Sequence, residues 1–464
     1  MLKTLSQRFL ILFLLLGLIL VPRPAAGALD LGRANQLDSS GDYAAAAVLY
    51  ANAAGSLPWQ PFLWEKAGAA AMNAGDPQGT IKFLNQAAAR NALSQGGWLS
   101  LGKAYRQAGN LPSAVNAWKH ALPLAEAYRS LAEDERKLGD FSAALDGWRA
   151  GLLQQPGDAS AHYQLGLLLM TAAPQDALPE LMQAAKLDPA LDASVQDMRA
   201  ALNAGLLSDD RAYQLLISGR ALGAAGDWDL AAEAFHNAVA ARPDYADAWG
   251  WLSEAKQQQG QDGSTEMERA LAINPNSALL QSLYGLYLER QKQPKKALEA
   301  FQKAVALEPG DPGWEMALAG AYEQTGDLVA ALEHYQHAVA LSPGQATAWQ
   351  ALAEFSLRNS ADLVGTGLPA VRRLVELSKD DWQADDLAGQ ILLETGDAVG
   401  AEVLLKKASE LAPTQAAPYL HLGVLYLQMG DHPAANAKLR QAMLFDPNGP
   451  YGWQAKRLLE QYFP

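Results

Sequence analysis

Small, aromatic and branched residues return along this chain at an even interval. Pro275, Pro309 and Pro343 stand 34 residues apart, as do Pro413 and Pro447. Between these prolines the same series of side chains recurs. Residues 278–309 hold Tyr284-Gly285, Leu288, Ala297, Phe301 and Ala304. The next unit holds Leu318-Ala319, Tyr322, Gly326-Asp327, Ala331, Tyr335 and Ala338, and the last holds Tyr419, Leu422-Gly423, Tyr426, Gly430-Asp431, Ala435, Leu439 and Ala442. Each position has a mechanical reading. Gly285, Gly423, Ala304 and Ala442 let two helices approach, while aromatic and leucine side chains fill the gaps between facing ridges. A Gly-Asp pair ends one helix and starts another: glycine accepts the left-handed conformation of a helix C-terminus, and aspartate caps the helix that follows. The closing proline stops the second helix. The spacing predicts two short helices per unit.

The same register extends backwards to units near residues 27–58, 61–92, 95–124, 125–156, 159–189, 212–243, 246–275, 346–378 and 382–413, about twelve in all. Residues 190–211 add an odd helical stretch, with Val195, Met198 and Leu202 at helical spacing, where a kink is expected. Residues 359–368, NSADLVGTGL, lengthen a turn and are expected to protrude as a loop. Residues 448–464 set Trp453, Leu458 and Leu459 against Lys456, Arg457 and Glu460, the pattern of a half-polar helix that covers the last open face.

These residues resemble the tetratricopeptide repeat, a 34-residue helix-turn-helix unit. The resemblance implies an all-α, right-handed superhelical solenoid of about twelve repeats with a C-terminal capping helix. Its expected organisation is a signal peptide or N-terminal anchor over 1–28, an N-terminal array over 29–189, the irregular helix at 190–211, a second array over 212–447 and the cap over 448–464.

The leader is read from residues 9–21, FLILFLLLGLILV, preceded by Lys3 and Arg8 and followed by Arg23 and Ala26-Gly27-Ala28. At about 1.5 Å per residue such a helix spans roughly 20 Å, short of the ~30 Å of bilayer hydrocarbon, which favours cleavage after Ala28 over a retained anchor. Either outcome predicts an extracytoplasmic chain, secreted, periplasmic or at the cell surface. Membrane contact is expected only through residues 9–21, if they stay uncleaved.

Composition removes several classes of function. The chain of 464 residues is 50% hydrophobic and 19% charged, which supports a large core and excludes disorder. A formal charge of −14 with scattered Lys and Arg offers no basic stripe for nucleic acid. With no cysteine there is no disulfide, thiolate metal site or cysteine nucleophile.

The resemblance further implies a concave face built from the first helix of each unit, where family members bind peptides. Lys103, Arg106, Arg129, Arg136, Glu254, Gln257, Glu289, Glu323, Glu354 and Gln390 are expected there.

 Of these, Lys103, Arg106, Arg129 and Arg136 form a basic sector suited to acidic or C-terminal carboxylate groups, and Glu254, Glu289, Glu323 and Glu354 form an acidic sector suited to basic segments. The plainer reading is a solvated helix surface, partly paired with Glu126 and Glu133. Some family members grip a terminal carboxylate with Lys and Asn on successive first helices; Leu31 and Asn35 stand where that set would begin, so this mode is disfavoured.

Other features carry less chemistry. Trp64, Trp98, Trp249, Trp349 and Trp453 take the packing position of first helices, and Trp118 and Trp148 that of second helices. Trp59, Trp251 and Trp382 fall out of register and are the aromatic platform available to a carbohydrate. His334 and His337 share a helical face beside Glu333, without an evident third metal ligand. Gly365-Thr366-Gly367 reads as a turn rather than a dinucleotide loop, because no strand precedes it. No Ser-His-Asp set, Walker loop or HExxH is present. The sequence therefore predicts a scaffold for proteins or peptides, without cofactor, metal or catalysis. Envelope assembly, secretion and polysaccharide export follow as analogies, and a carbohydrate-binding accessory or a regulatory subunit of a catalytic partner as the alternatives.

Overall fold

The structure, a computed structural model, describes residues 24–463. The apolar run at 9–21, with Lys3, Arg8 and Arg23, lies outside the described residues. Those described form helices and turns and no strand.

The chain divides into two compact units, one up to Pro243 and one from Asp244. In the first, α1 (Pro24–Ser40) pairs with α2 (Tyr43–Ser56), α3 (Leu63–Asn73) with α4 (Pro77–Ala88), and α5 (Gln95–Gln107) with α6 (Leu111–Ala121). Then α7 (Ala125–Lys137) pairs with α8 (Phe141–Gln154) and α9 (Ala159–Ala172) with α10 (Pro174–Leu187). A 3-10 turn (Pro189–Leu191) leads into the single helix α11 (Asp192–Gly205), and α12 (Arg211–Ala224) pairs with α13 (Trp228–Ala241). In the second unit the hairpins are α14 (Ala246–Gln258) with α15 (Ser264–Ile273), α16 (Ala278–Arg290) with α17 (Pro294–Leu307), and α18 (Pro312–Thr325) with α19 (Leu328–Leu341). They continue as α20 (Ala346–Asn359) with α21 (Leu368–Leu377), α22 (Trp382–Glu394) with α23 (Ala398–Leu411), and α24 (Ala416–Met429) with α25 (His432–Phe445), before the last helix α26 (Pro450–Tyr462). Twelve hairpins, one odd helix and one terminal helix are thus present among the described residues.

The sequence register explains the hairpins. At the α18–α19 turn Gly326 takes φ 87°, and the Asp327 carboxylate accepts a hydrogen bond from the Ala330 N–H at 3.1 Å. Inside seven of the twelve pairs a glycine of the first helix faces a large side chain of the second. A Cβ on Gly102 would lie 2.5 Å from the Trp118 ring, and one on Gly285 would lie 2.6 Å from Phe301. Trp118 and Phe301 are fully buried. Burying such side chains contributes about 1.5–3 kcal/mol each, which makes the glycine contact a condition of the fold. First helices also touch their counterparts in the next hairpin, as α3 does α5, α14 does α16, and α22 does α24.

Three segments depart from plain repetition. Val195, Met198 and Leu202 of α11 are buried as their spacing requires, and α9 packs against both α12 and α13. The Asn237 side chain accordingly donates to the Thr171 carbonyl at 3.0 Å, across 66 residues. Residues 359–368 do not protrude as a loop. Asp362 accepts hydrogen bonds from the Gly365 N–H at 3.1 Å and the Thr366 hydroxyl at 2.7 Å, closing one π-helical turn (Leu363–Gly367) that buries Thr366 and Gly367 and runs into α21. Within α26, Ala455 and Leu459 cover the cluster of Tyr419, Leu420 and Leu439 as expected of a cap, whereas Trp453 is 62% exposed and does not pack.

A tied polar face on the first helices and a cavity beside it

Every cation expected on the first-helix face reaches an acceptor on another hairpin. Lys103 Nζ meets Glu126 Oε1 at 2.6 Å. Arg106 places Nε 2.9 Å from the Asp134 carboxylate, Nη1 3.1 Å from Glu133 and Nη2 2.8 Å from the Ser130 carbonyl. Arg129 pairs with Asp158, whose carboxylate also caps α9 by accepting from the Ala161 N–H. Burial pushes the Asp158 carboxyl up, but the Arg129 and Ala161 bonds outweigh it and hold it below its ordinary value. Arg136 donates to Gln164 Oε1 at 2.6 Å and to Asp227, the cap of α13. The basic sector expected from sequence is therefore neutralised: the acids that cancel Lys103, Arg106 and Arg129 sit on the next hairpin, and the one that cancels Arg136 sits 91 residues away. Two of its partners, Glu126 and Glu133, were legible in the sequence.

In the second unit the same register carries more acid than base. Arg290 donates to both Glu254 oxygens at 2.6 Å and to Gln257 Oε1 at 3.2 Å. Gln324 donates to Glu289 at 2.8 Å, and burial raises the Glu289 carboxyl above its usual range. Glu323 accepts from Arg358 at 3.1 and 3.2 Å and from Asn359 at 2.7 Å. Burial pushes the Glu323 carboxyl up, but Arg358 and Asn359 pull it below its ordinary value. Burial, with the Glu323 charge beside it, drives the Tyr335 hydroxyl to about 12. Glu354 joins the group through Arg358 at 3.2 Å. Gln390 donates to Asp386 at 3.0 Å, and Asp386 contacts His421 at 2.8 Å. Five carboxylates thus share the face with Arg290, Arg358 and His421.

Sequence reasoning named both sides of the Lys103–Glu126 and Arg106–Glu133 ties, one side of most others and neither side of Asp386–His421; it missed Asp134, Asp227, Arg290, Arg358, Asp386 and His421. The signal was available: Glu254 and Arg290 stand 36 residues apart, and Glu323 and Arg358 stand 35 apart, one repeat plus a residue or two.

A cavity of about 350 Å³ adjoins the face in the first unit. Glu133, Arg136 and Lys137 line it from α7, Trp148 from α8, Ser160 and Gln164 from α9, and Asp229 from α13. It exists because α11 brings α13 back onto α9, so that Arg136 spans 91 residues to reach Asp227. Trp148 is 2% exposed, yet its indole N–H has no acceptor.

The remaining candidates resolve as follows. His334 and His337 both contact Glu315, at 2.6 and 2.9 Å; this carboxylate from α18, rather than Glu333, is their shared partner. No group of His, Asp or Glu among the described residues is disposed to hold a metal ion, and no described helix is long and apolar enough to cross a membrane. Of the out-of-register tryptophans, Trp59 is 58% exposed in the first unit, whereas Trp251 packs beside Met267 in the second.

Tetratricopeptide-repeat family models match residues 218–260, 253–312, 288–355 and 392–459. No curated protein matches the chain in sequence. Among solved structures, the chain is similar to the APC/C hetero-tetramer Cut9–Hcn1, at 12% identity over 93% of this chain and 95% of that one, with a TM-score of 0.45. It is also similar to yeast Tom70, at 16% identity over 94% and 95% with a TM-score of 0.42. A third likeness is to YrrB, a TPR protein with an unusual peptide-binding site, at 19% identity over 41% of this chain and 97% of that one, with a TM-score of 0.34.

Proposed function

We propose that the chain, which carries tetratricopeptide repeats over residues 218–355 and 392–459, is a non-catalytic, extracytoplasmic scaffold that holds polypeptides along its first-helix face. Tetratricopeptide repeats support a protein-interaction scaffold. The observation that carries the finer reading is the acid surplus on the first helices after residue 243, where Glu254, Glu289, Glu323, Glu354 and Asp386 outnumber the bases that tie them. A basic polypeptide segment complements that surface, and such complementarity acts on encounter rate and partner choice. The apolar leader at 9–21 supports export, and the analogy to envelope assembly, secretion or polysaccharide export rests on that address.

Site-specific photo-crosslinking in cells tests the reading. A benzophenone side chain at Gln258 or Gln324, on exposed ends of first helices, is expected to yield polypeptide adducts; the same group at Lys303 or Gln336, on exposed second helices, is not. The double variant Glu289→Gln with Glu354→Gln should lower the yield. Adducts confined to second helices would overturn the assignment of the face.

A further inference from the structure

We propose that the cavity among α7, α8, α9 and α13 binds an α-ammonium group adjacent to a carboxyl or amide oxygen, as carried by a free amino acid or by the first residue of a polypeptide. The argument begins with two equivalent tryptophans. Trp118 and Trp148 occupy the same place in successive second helices, and Arg106 and Arg136 the same place in successive first helices. In the earlier hairpin both donors find Asp134: Arg106 Nε at 2.9 Å and Trp118 Nε1 at 2.8 Å. Both bonds fall on one carboxylate oxygen, Oδ2, which accepts from the guanidinium and the indole together. The position equivalent to Asp134 is Gln164, whose amide oxygen accepts from Arg136 at 2.6 Å but not from Trp148. Trp148 is left with a buried N–H and no acceptor, a condition rare in folded proteins, and it stands in the wall of the cavity.

The rest of the lining states what kind of acceptor fits. Arg136 is occupied by Gln164 and Asp227, and Glu133 by Arg106. Two charges remain underused, on different elements. Lys137 of α7 has its nearest carboxylate, Asp134, 3.8 Å away, and that carboxylate already serves two other donors. Asp229 of α13 makes no ion pair. The site thus offers an ammonium and an indole donor for an oxygen, and a carboxylate for a cation. An isolated anion would meet the acids around it, and an isolated cation would leave Trp148 unsatisfied; a ligand with both groups on neighbouring atoms answers both. The volume, about 350 Å³, lies at the small end of ligand sites, in keeping with one residue rather than a large cofactor.

Calorimetric titration of the whole chain at millimolar L-alanine, tri-L-alanine and N-acetyl-tri-L-alanine tests the proposal. Binding of tri-L-alanine that acetylation abolishes is expected. Binding of L-alanine as well identifies a free amino acid as sufficient, whereas its failure identifies a polypeptide end. Trp148→Phe keeps the buried ring and removes the donor, and Asp229→Asn removes the exposed charge; each should weaken binding about tenfold. No heat from any probe, equal binding of the acetylated peptide, or unchanged affinity in both variants would overturn the proposal. Because these residues precede Pro243 and the crosslinking positions follow it, failure here leaves the first-helix reading of the second unit standing, and the reverse.

Discussion

Replacing Arg106 with methionine keeps an apolar stem but removes three donors at once: those to Asp134, Glu133 and the Ser130 carbonyl. The guanidinium also lies over the Trp118 ring, 5.2 Å from its centroid. Asp134 has no exposed surface, so its carboxylate would keep only the Trp118 N–H at 2.8 Å, with Lys137 at 3.8 Å. Removing one partner of a buried pair costs about 3–5 kcal/mol. The Arg106 side chain is 28% exposed, so water offsets part of that loss and the expected effect is near the lower bound, about 3 kcal/mol. Lys103 and Glu126 provide the contrast, because their side chains are 44% and 53% exposed. Lys103→Met should cost under about 1 kcal/mol. Urea unfolding followed by circular dichroism, with unchanged denaturant slopes, measures both. Adding Asp134→Asn to the Arg106 variant should recover part of the loss, since it removes the stranded charge while leaving Trp118 an acceptor. An Arg106 variant no less stable than the Lys103 variant, or a second substitution that only adds damage, would refute the reasoning.

Three further outcomes are expected. Gly102→Ala sets a methyl 2.5 Å from the Trp118 ring and should destabilise by about 1–3 kcal/mol before helix propensity offsets part of it, whereas Gly32→Ala, with nothing within 4 Å, should stabilise by about 0.5–1 kcal/mol; thermal melts of the pair must move in opposite directions. Because the folded-state Glu323 carboxyl is held low, its stabilisation is present above the ordinary glutamate value and is lost as pH falls through the lower folded value. The melting-temperature gap between the parent and Arg358→Met should therefore persist from about pH 7 to about pH 5 and close below about pH 4; a gap that survives deeper acid contradicts the assignment. Intact mass of the protein recovered from the cell envelope should begin at Leu29, and a retained Met1 would count against cleavage after Ala28.

The hairpins were legible because close packing leaves few choices at a helix crossing: Gly102 and Gly285 mark the approach, Trp118 and Phe301 fill it, and Asp327 caps the turn. The contents of residues 359–368 were not, because the π-helical turn depends on local bonds from Asp362 that composition does not announce. Trp453 misled for a related reason. Its apolar character matched the register, but it is Ala455 and Leu459 of α26 that meet the cluster of Tyr419, Leu420 and Leu439, and Trp453 stays exposed. On the first-helix face the sequence named the charges and only part of their neutralisation, through Glu126 and Glu133, since Asp134 and Asp227 lie on hairpins whose relative placement comes only from packing. The cavity lay furthest from view, because it depends on α11 returning α13 to α9 and on Gln164 meeting Arg136 without reaching the Trp148 indole, where Asp134 meets both Arg106 and Trp118.

Hydrogen–deuterium exchange of the whole chain, with and without the polypeptide recovered by crosslinking, tests the central claim most directly. Protection gained in α14, α16, α18, α20, α22 and α24, with their paired second helices unchanged, is the predicted result. Protection confined to the second helices, or spread equally over both helices of each hairpin, would contradict it.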